Sequence, residues 1–326
     1  MRTLVTGATG LVGSAVARAL LAKGHTVRAL VREPERARHL VAPGVELVAG
    51  DVTAEPAQLA RAFEGSELLF HAAGLPESWQ RDESIFDRVN RGGTRNVVEA
   101  ARLAGARRVV YTSTMDVFAA PRGGMLVEGP LDPAPKPTAY ERSKVAAQRE
   151  VDDAVARGAD IVTVNPGAVH GPAPVVTGLN QFVAKLLARQ IPLLPPGGMP
   201  VVFADGLAAA HLAAAEKGRS GEKYLVADGF MSNPELAAAV AAAAGLGRAP
   251  PSGPEWLLVP VANLLAPLAR TFGFRPLVSP GELAFVLWQV RIDASKAIRE
   301  LGFVPTPLAD GVRRTVDWLK RRPDRE

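Results

Sequence analysis

The chain has 326 residues, 48% of them hydrophobic, which allows one large domain or two coupled domains with a packed core and excludes disorder. It contains no cysteine, which excludes disulfides, thiolate metal sites and a cysteine nucleophile. Its formal charge of +5, from 38 Lys and Arg against 33 Asp and Glu, is too mild to indicate a nucleic-acid partner.

The first half of the chain alternates short β-branched runs with helical patterns. The predicted strands are Thr3–Thr6, Thr26–Val31, Glu46–Val48, Leu68–His71, Val109–Thr112 and Ile161–Val164. The predicted helices between them are Leu11–Lys23, Pro56–Phe63, Phe86–Leu103 and Ala139–Ala156. Strands separated by helices predict an α/β fold, with a doubly wound parallel sheet that is covered on both faces.

The second half of the chain has a different pattern, because prolines cluster and apolar residues predominate after Gly171. Val201–Phe203 and Lys223–Val226 are predicted strands that return to the first sheet. The predicted sheet domain comprises residues 1–170, with returning segments at about 200–229. The predicted C-terminal domain is smaller and mostly helical, and it comprises residues 171–199 and 230–326.

The longest apolar stretch, Trp256–Phe272, falls short of a membrane span because Pro260, Asn263, Pro267 and Arg270 interrupt it. We expect a buried helix or the wall of a pocket there, rather than a membrane contact. The N-terminus becomes glycine-rich within seven residues, and no apolar core of a signal peptide precedes the glycines. These patterns predict a cytoplasmic protein without stable membrane insertion.

A glycine-rich loop follows the first predicted strand and opens the first helix, with the sequence Gly7-Ala8-Thr9-Gly10-Leu11-Val12-Gly13. Gly7 suits a tight turn, because glycine tolerates a positive φ. Gly10 lets a pyrophosphate approach the backbone, and Gly13 lets the helix press on the strands. The free N–H groups of the helix N-terminus would then face the phosphates. The loop therefore predicts a dinucleotide site, to which we assign all its residues except Ala8.

The second strand ends in Val31-Arg32, without the acid that usually holds the ribose 2′-hydroxyl of NAD. A guanidinium at this position suits the 2′-phosphate of NADP. We therefore favour NADP(H) as the cofactor, with Arg32 as the phosphate partner and Arg36 as additional support. NAD(H) remains open, because Arg32 could also be a solvated surface charge.

Tyr140 and Lys144 are four residues apart at the start of a predicted helix, so the phenol and the ammonium share one face. A nearby cation favours the phenolate, which predicts a lowered pKa for the tyrosine. Upstream, Thr112-Ser113-Thr114 places hydroxyls at the carboxyl end of a predicted strand, where open α/β sheets bind ligands.

The motifs together resemble those of one family, the extended short-chain dehydrogenases/reductases, also called NAD-dependent epimerases/dehydratases. The resemblance covers nearly the whole chain and is strongest to the dihydroflavonol-reductase and 3β-hydroxysteroid-dehydrogenase-like branch. It implies a Rossmann sheet followed by a C-terminal substrate domain. The motifs that carry it are the glycine loop, Gly50-Asp51-Val52, His71-Ala72-Ala73-Gly74, Val89-Asn90-Arg91-Gly92-Gly93-Thr94, Thr112-Ser113-Thr114, Tyr140-x-x-x-Lys144 and Asn165–Pro172.

The resemblance implies a role for each matched residue. Tyr140 would be the general acid/base, Lys144 would hold the nicotinamide ribose, and Thr114 would hydrogen-bond the reacting oxygen. Further cofactor contacts would be Asp51 and Val52 beside the adenine, Ala72, Ala73 and Gly74 beneath the ribose and phosphates, Thr112, and Pro166 and Val169 near the nicotinamide.

Asp116 departs from what reductase-like members of the family would have after the threonine. In nucleotide-sugar dehydratases and decarboxylases, a carboxylate at this place can act as a base. The alternative is a loop carboxylate that caps backbone N–H groups. Candidate substrate contacts are Asp116, Phe118, His170 and Trp288, with core packing as the alternative for the aromatic side chains. The five histidines lie in separate elements, so we expect no metal site.

These features predict an NAD(P)-dependent oxidoreductase that acts on a carbonyl or secondary alcohol of a largely apolar small molecule. One alternative is a nucleotide-sugar epimerase, dehydratase or decarboxylase with tightly bound NAD. Its substrate pyrophosphate would need cations, for which the candidates are Lys185, Arg189, Arg275 and Arg291. Another alternative is a non-catalytic redox-sensing regulator, which the presence of Tyr140 and Lys144 disfavours. The resemblance also allows a homodimer through Phe86–Leu103 and Ala139–Ala156.

Overall fold

The structure is a computed structural model, and it describes residues 1–272 and 280–322. Its strands are β1 (Arg2–Thr6), β2 (Thr26–Val31), β3 (Glu46–Ala49), β4 (Leu68–His71), β5 (Arg108–Thr112), β6 (Met125–Leu126), β7 (Ile161–Pro166), β8 (Ala168–His170), β9 (Gly198–Phe203), β10 (Lys223–Val226), β11 (Gly229–Ser232) and β12 (Arg291–Ile292).

The helices are α1 (Leu11–Ala22), α2 (Pro34–Ala37), α3 (Pro56–Phe63), α4 (Ser84–Phe86), α5 (Gly93–Leu103), α6 (Ala139–Ala156), α7 (Leu179–Leu187), α8 (Ala204–Lys217), α9 (Asn233–Ala244), α10 (Glu255–Phe272), α11 (Pro280–Trp288) and α12 (Leu308–Arg321). Two π-helical turns, Asp87–Gly92 and Ala297–Leu301, and a 3-10 turn, Met115–Val117, complete the helical elements of the described residues.

The central layer is a parallel seven-stranded sheet in the order β10-β7-β5-β4-β1-β2-β3. From β1 the chain first builds outward through β2 and β3, then crosses back to place β4 on the other side of β1. This reversal opens a crevice at the carboxyl ends of β1 and β4, where open α/β sheets bind their ligands. The predicted doubly wound Rossmann sheet is confirmed.

The sheet is buried on both faces because successive side chains point to opposite sides of a strand. Val5 packs in the apolar cluster that α1 and α8 form on one face. Leu4 packs in the cluster of α3, α5 and α6 on the other face. Two covered faces explain why the strands of this sheet have near-continuous apolar runs.

One predicted strand does not join the central sheet. β10 pairs with β7 as expected, with Tyr224 opposite Val164. The prediction for Val201–Phe203 is wrong, because β9 forms a separate three-stranded sheet with β8 and β11. The physical reason is that β10 already occupies the edge of β7. The division of the chain into two domains at the boundaries given above stays a prediction.

Two predicted helices also differ from expectation. The pattern Phe86–Leu103 predicts one helix, but the π-helical turn Asp87–Gly92 interrupts it between α4 and α5. The stretch Trp256–Phe272 is helical, within α10, but much of its apolar surface faces outward instead of lining a core or pocket. Within the described residues, no helix combines the length and the apolar character that crossing a bilayer requires.

Candidate active site

The glycine loop between β1 and α1 packs closely against the end of β4. Gly7 has a φ of +74°, and a Cβ on it would lie 2.7 Å from the carbonyl carbon of Ala72. A Cβ on Gly13 would overlap the carbonyl group of Gly7. Glycine is therefore required at both positions, since the conformation of the first and the close approach of the second leave no room for a side chain.

The N-terminus of α1 is open to an anion. Gly10 is the N-cap residue, and no side chain hydrogen-bonds the N–H groups of the first turn. Uncapped N–H groups at the positive end of a helix dipole favour a phosphate. Thr9, Leu11 and Val12 around them are only partly buried. The loop thus fits the pyrophosphate of a dinucleotide, as the sequence predicts.

Arg32 extends from the end of β2, and its side chain is exposed. Neighbouring Arg36 pairs with Glu33 at 2.9 Å. Arg32 forms no ion pair with any residue in the ranges 1–272 and 280–322. Of the two predicted phosphate partners, Arg32 is therefore the one whose charge is not already neutralised.

At the end of β3, Asp51 stabilises its own loop. One carboxylate oxygen accepts both the backbone N–H and the hydroxyl of Thr53, each at 2.8 Å. Val52 is buried, and a Cβ on Gly93 would lie 2.9 Å from one of its methyl carbons. Because β2 and β3 are parallel neighbours with Val31 opposite Ala49, the two predicted adenine neighbours follow the same edge of the sheet as Arg32.

Buried polar side chains fix the loop that follows β4. His71 Nδ1 lies 2.7 Å from Thr6 Oγ1, and His71 Nε2 lies 3.1 Å from Thr94 Oγ1. Burial lowers the pKa of His71 to about 3, so the ring is neutral. The Thr6 hydroxyl also accepts the N–H of Ala73 at 3.1 Å. This network holds the predicted ribose and phosphate contacts, residues 72–74, against the glycine loop.

Asn90 joins the same loop to the helix that carries the tyrosine. Its carbonyl oxygen accepts the N–H of Leu75 at 2.7 Å. Its amide nitrogen donates to the Leu75 carbonyl at 3.1 Å and to Ser143 Oγ at 3.0 Å. Asn90 lies in the π-helical turn Asp87–Gly92, which directs its buried side chain toward these partners.

Tyr140, Thr114 and Asp116 lie together as a chain of polar groups. Thr114 Oγ1 donates to Asp116 Oδ2 at 2.6 Å. The Thr114 hydroxyl also lies close enough to the Tyr140 phenol to act on its pKa, which it lowers against the larger effect of burial. Burial raises the pKa of Asp116 to about 6. The carboxyl group can therefore change its protonation state near neutral pH.

Lys144 is buried on the same helix, and its ammonium is bound at the end of β5. Its ammonium donates to Tyr111 Oη at 3.1 Å and to the Thr112 carbonyl at 3.0 Å. Burial raises the pKa of Tyr140 well above its usual value, and the charge of Asp116 raises it further. The predicted lowering of this pKa is therefore wrong for this arrangement, because burial and the charge of Asp116 favour the neutral phenol.

The comparisons with known proteins agree with this geometry. A model of the NAD dependent epimerase/dehydratase family matches residues 3–227. The chain belongs to this family. It is an NAD(P)-dependent enzyme of the extended short-chain dehydrogenase/reductase type, and the family binds a nicotinamide cofactor.

Two relatives and one solved structure match this family member over most of its length. It is 33% identical to sterol demethylase protein B of Methylococcus capsulatus over 329 residues, which cover 99% of both chains. It is 34% identical to the 4-hydroxy-2-methyl-3-oxo-4-farnesyl-3,4-dihydroquinoline-1-oxide ketoreductase of Stigmatella aurantiaca over 233 residues, 70% of this chain and 69% of that protein. A crystal structure of gox2253 has a TM-score of 0.80 and 32% identity, with 98% of both chains covered.

Asp116 does not cap a loop in this family member, in contrast to one of the two interpretations from the sequence. The capping group is Thr114, whose hydroxyl accepts the N–H of Asp116 at 3.4 Å at the start of the 3-10 turn. Asp116 itself is buried, and its Oδ1 has no hydrogen-bond partner among the described residues. A buried carboxylate oxygen without a partner leaves a position for a donor on the substrate.

A second carboxyl group, which no sequence motif indicated, lies near the phenol. Glu77 lies in the loop after β4, and its Oε2 accepts the hydroxyl of Thr138 at 2.8 Å. Thr138 is the N-cap of α6, two residues before Tyr140, and forms a capping box with Glu141. Burial raises the pKa of Glu77 to about 7. In the sequence, Glu77 could have been recognised as a candidate because it follows the carboxyl end of a predicted strand, where open α/β sheets bind ligands.

The end of β7 brings three motif residues to the same edge of the sheet. Asn165 Nδ2 donates to the Thr114 carbonyl at 2.9 Å, a positioning contact that the sequence analysis did not assign. Pro166 is buried, and Val169 of β8 is partly buried beside it. At the neighbouring strand end, Thr112 Oγ1 lies 2.8 Å from Nε2 of the buried His211.

The structure does not support a direct substrate contact for two of the predicted residues. Phe118 is buried in an apolar cluster with Val117 and Leu126. His170 is also buried, with its Nδ1 2.9 Å from Thr315 Oγ1, because α12 packs over it. Both predictions are corrected to core packing.

Trp288, the remaining aromatic candidate, is partly exposed and ties α11 to the loop after the 3-10 turn. Its indole N–H donates to the Ala120 carbonyl at 2.8 Å. Two of the predicted cations have other contacts: Arg291 stacks on Phe230, and Arg189 lines a separate cavity. Arg275 lies outside the described residues.

Proposed function

We propose that this protein transfers hydride between NADP(H) and a carbonyl or secondary alcohol of a largely apolar small molecule. The observation that carries the proposal is the chain of groups from the Tyr140 phenol through the adjacent Thr114 hydroxyl to Asp116, which accepts that hydroxyl at 2.6 Å. It stands at the carboxyl ends of the strands, beside a glycine loop that fits a dinucleotide. Such a chain can give a proton to a reacting oxygen and take one back.

In this proposal the first domain holds the cofactor and the C-terminal domain covers the substrate. The nicotinamide, when bound, supplies or accepts the hydride. Lys144 holds the ribose from its place at the end of β5, and Pro166 and Val169 form the wall beside the ring. Arg32 binds the 2′-phosphate, which favours NADP(H) over NAD(H).

Tyr140 gives its proton to the carbonyl oxygen in the reducing direction. Thr114 hydrogen-bonds the alcohol that results as an acceptor, while its own hydrogen is directed to Asp116. When Asp116 is protonated, it donates to Thr114, and the Thr114 hydroxyl is then free to donate toward the phenol oxygen. The chain can thus return a proton to Tyr140 after the reduction. Oxidation of an alcohol uses the same chain in the opposite direction.

The names of the two relatives support an apolar substrate, since one is named for a sterol and the other is a ketoreductase named for a farnesyl quinoline oxide. Apolar elements also border the site. The N-terminus of α11 lies against Glu77 and Thr138, and α11 is rich in apolar residues. We therefore assign the substrate to the space between α11 and the phenol.

One observation favours a second candidate, a nucleotide-sugar epimerase, dehydratase or decarboxylase. Asp116 is buried in contact with Thr114, the arrangement that a carboxylate base would need. The contact of Arg291 with Phe230 and the place of Arg189 at a separate cavity weigh against a pyrophosphate-bearing substrate.

A turnover assay separates the two candidates. The purified protein is offered NADPH or NADH with apolar ketones and aldehydes, and nucleotide sugars are tested in parallel. We expect NADPH-dependent reduction of an apolar carbonyl, with a cofactor that exchanges freely. Turnover of a nucleotide sugar without added cofactor, together with NAD that co-purifies, would contradict the proposal and establish the alternative.

A further inference from the structure

The apolar side of α10 faces away from the protein. Its outward residues, which we call the α10 face, are Trp256, Leu257, Pro260, Val261, Leu264, Pro267, Leu268 and Phe272. The exposed fractions reach 76% for Trp256, 67% for Leu264 and 75% for Phe272. Contiguous apolar surface of this kind marks an interaction site.

Few polar groups interrupt the α10 face. Asn263 and Thr271 are the uncharged polar side chains exposed along the helix. Glu255 at its N-terminus forms a two-point ion pair with Arg122, at 2.7 and 3.2 Å. Among the described side chains of α10, Glu255 is the charged one, and its charge is paired with that of Arg122.

Basic residues gather beside this helix. A cavity of about 520 Å³ is bordered by Arg189, Arg248 and apolar side chains from α7, α9 and the chain between α9 and α10. Both arginines are exposed, and neither forms an ion pair with a residue that the structure describes. Lys320 of α12 donates to the Ala244 carbonyl at the end of α9, which places a further ammonium nearby.

The cavity and the α10 face belong to one part of the surface. Ile191 and Ala249 at the cavity pack in the same apolar cluster as Leu258 and Ala262, the inward residues of α10. Two hydrogen bonds join the segments between them: Leu194 N–H to the Pro251 carbonyl, and Gly253 N–H to the Leu194 carbonyl. The basic groups therefore border a cavity whose apolar wall packs in the same cluster as the inward side of α10.

Arg189 has an unusual backbone for a non-glycine residue, with a φ of +56° directly after α7. Helices commonly end on glycine in this conformation. This left-handed backbone conformation is unfavourable for an arginine. The Arg189 side chain forms no ion pair with a described residue that would compensate for it. Its charge is thus available to a partner outside the chain.

We propose that the α10 face and the adjacent basic residues bind the surface of an anionic lipid bilayer without crossing it. A helix with exposed Trp, Leu and Phe lies in the membrane interface, and basic groups beside it attract anionic headgroups. A second copy of the chain fits less well. A two-fold contact between α10 faces would bring Arg189 and Arg248 of both copies together without acidic partners.

Vesicle binding tests the proposal without any turnover, so its failure is distinct from failure of the proposed reaction. The protein is sedimented with phosphatidylcholine vesicles that contain or lack phosphatidylglycerol, and tryptophan emission is recorded. We expect binding to the anionic vesicles and a blue shift from Trp256. Leu264→Glu should weaken this binding about tenfold or more. The matched control is Val304→Glu, since Val304 is 77% exposed elsewhere and should leave binding unchanged.

Charge reversal tests the basic residues separately. Arg189→Glu and Arg248→Glu should each weaken binding to anionic vesicles about fivefold or more. Arg38→Glu, at an exposed arginine beside α2, is the control and should not weaken it. The proposal fails if the wild-type protein ignores both kinds of vesicle or if Leu264→Glu binds as the wild type does. It also fails if Leu264→Glu converts a dimer to a monomer, because a second copy would then cover the face.

Discussion

Thr114 donates its hydroxyl hydrogen to Asp116 at 2.6 Å and also lies beside the Tyr140 phenol, so the protonation of a carboxyl group is linked to the phenol. Burial raises the pKa of that carboxyl to about 6. Above this pH, the ionised carboxylate holds the one hydroxyl hydrogen of Thr114. Below it, the protonated carboxyl can donate to Thr114, whose hydrogen can then turn toward the phenol.

The pH profile of carbonyl reduction should report this link. We expect kcat of the wild-type enzyme to fall as the pH rises through about 6, because the protonated form of Asp116 is the one that feeds the phenol. Asp116→Asn carries no titrating group there and should lose this transition. Profiles that coincide for the two proteins would show that Asp116 has no part in proton transfer.

Asp116 should also affect stability. Its pKa is raised from 3.8 to about 6 by folding, so the native state binds more protons than the unfolded state between these values. The carboxylate therefore lowers the free energy of unfolding as the pH rises through this range. Asp116→Asn should raise it by about 1–3 kcal/mol at pH ~8, and the gain should shrink toward pH ~5.

Urea unfolding at both pH values measures this difference. Asp153→Asn, which changes an exposed carboxylate on α6, serves as the control and should show no such pH-dependent gain. A loss of stability for Asp116→Asn at the higher pH would mean that contacts of the carboxylate outweigh its burial.

Tyr140→Phe removes the hydroxyl that exchanges the proton. We expect kcat to fall about a hundred- to ten-thousandfold, because that range is typical for loss of a general acid. Binding of NADPH, followed by its fluorescence, should change little. Tyr224→Phe makes the same substitution at a buried phenol 2.9 Å from Glu300, far along the chain from the site. Turnover by Tyr140→Phe equal to that of the wild type would refute the catalytic assignment.

Arg32 should determine the choice of cofactor. Arg32→Ala removes a guanidinium that would make charge-assisted hydrogen bonds, so we expect affinity for NADPH to fall about ten- to a hundredfold while affinity for NADH is kept. Arg36→Ala, whose side chain pairs with Glu33, should have a smaller effect. Equilibrium titrations with both cofactors provide the measurement, and tighter binding of NADH by the wild-type enzyme would contradict the assignment.

Gly13→Ala tests the glycine loop. The new methyl group would overlap the carbonyl of Gly7, so we expect loss of dinucleotide binding and a stability cost of about 1–3 kcal/mol. Gly129→Ala is a suitable comparison, because no described atom lies within 4 Å of a Cβ built there. Thermal melting with and without NADPH distinguishes a loop that cannot bind from a protein that cannot fold.

The sequence was most informative where one local rule decides the structure. Gly7 and Gly13 could be placed because a tight turn and a close helix approach each require glycine. The central strands follow from their apolar runs and the helices between them. For β9, the apolar run alone was ambiguous, since its pairing depends on which strand already occupies the edge of the sheet.

The site was less predictable wherever contacts are distant in sequence. The pKa values of Tyr140 and Asp116 depend on burial, which spacing along the chain does not reveal. Lys144 shares a helix face with Tyr140, yet its ammonium is held by Tyr111, 33 positions away. Glu77 approaches the phenol through Thr138, a contact between two loops that no periodic pattern encodes.

The hydrogen bonds of the Asn90 amide limit which loops can be exchanged between members of the family. It binds the backbone of the loop after β4 and Ser143 of the tyrosine helix at once. One side chain therefore helps to set the spacing between the nucleotide half and the phenol half of the crevice. A loop grafted from a relative should keep that spacing only when its partner at position 75 still offers both N–H and carbonyl to this amide.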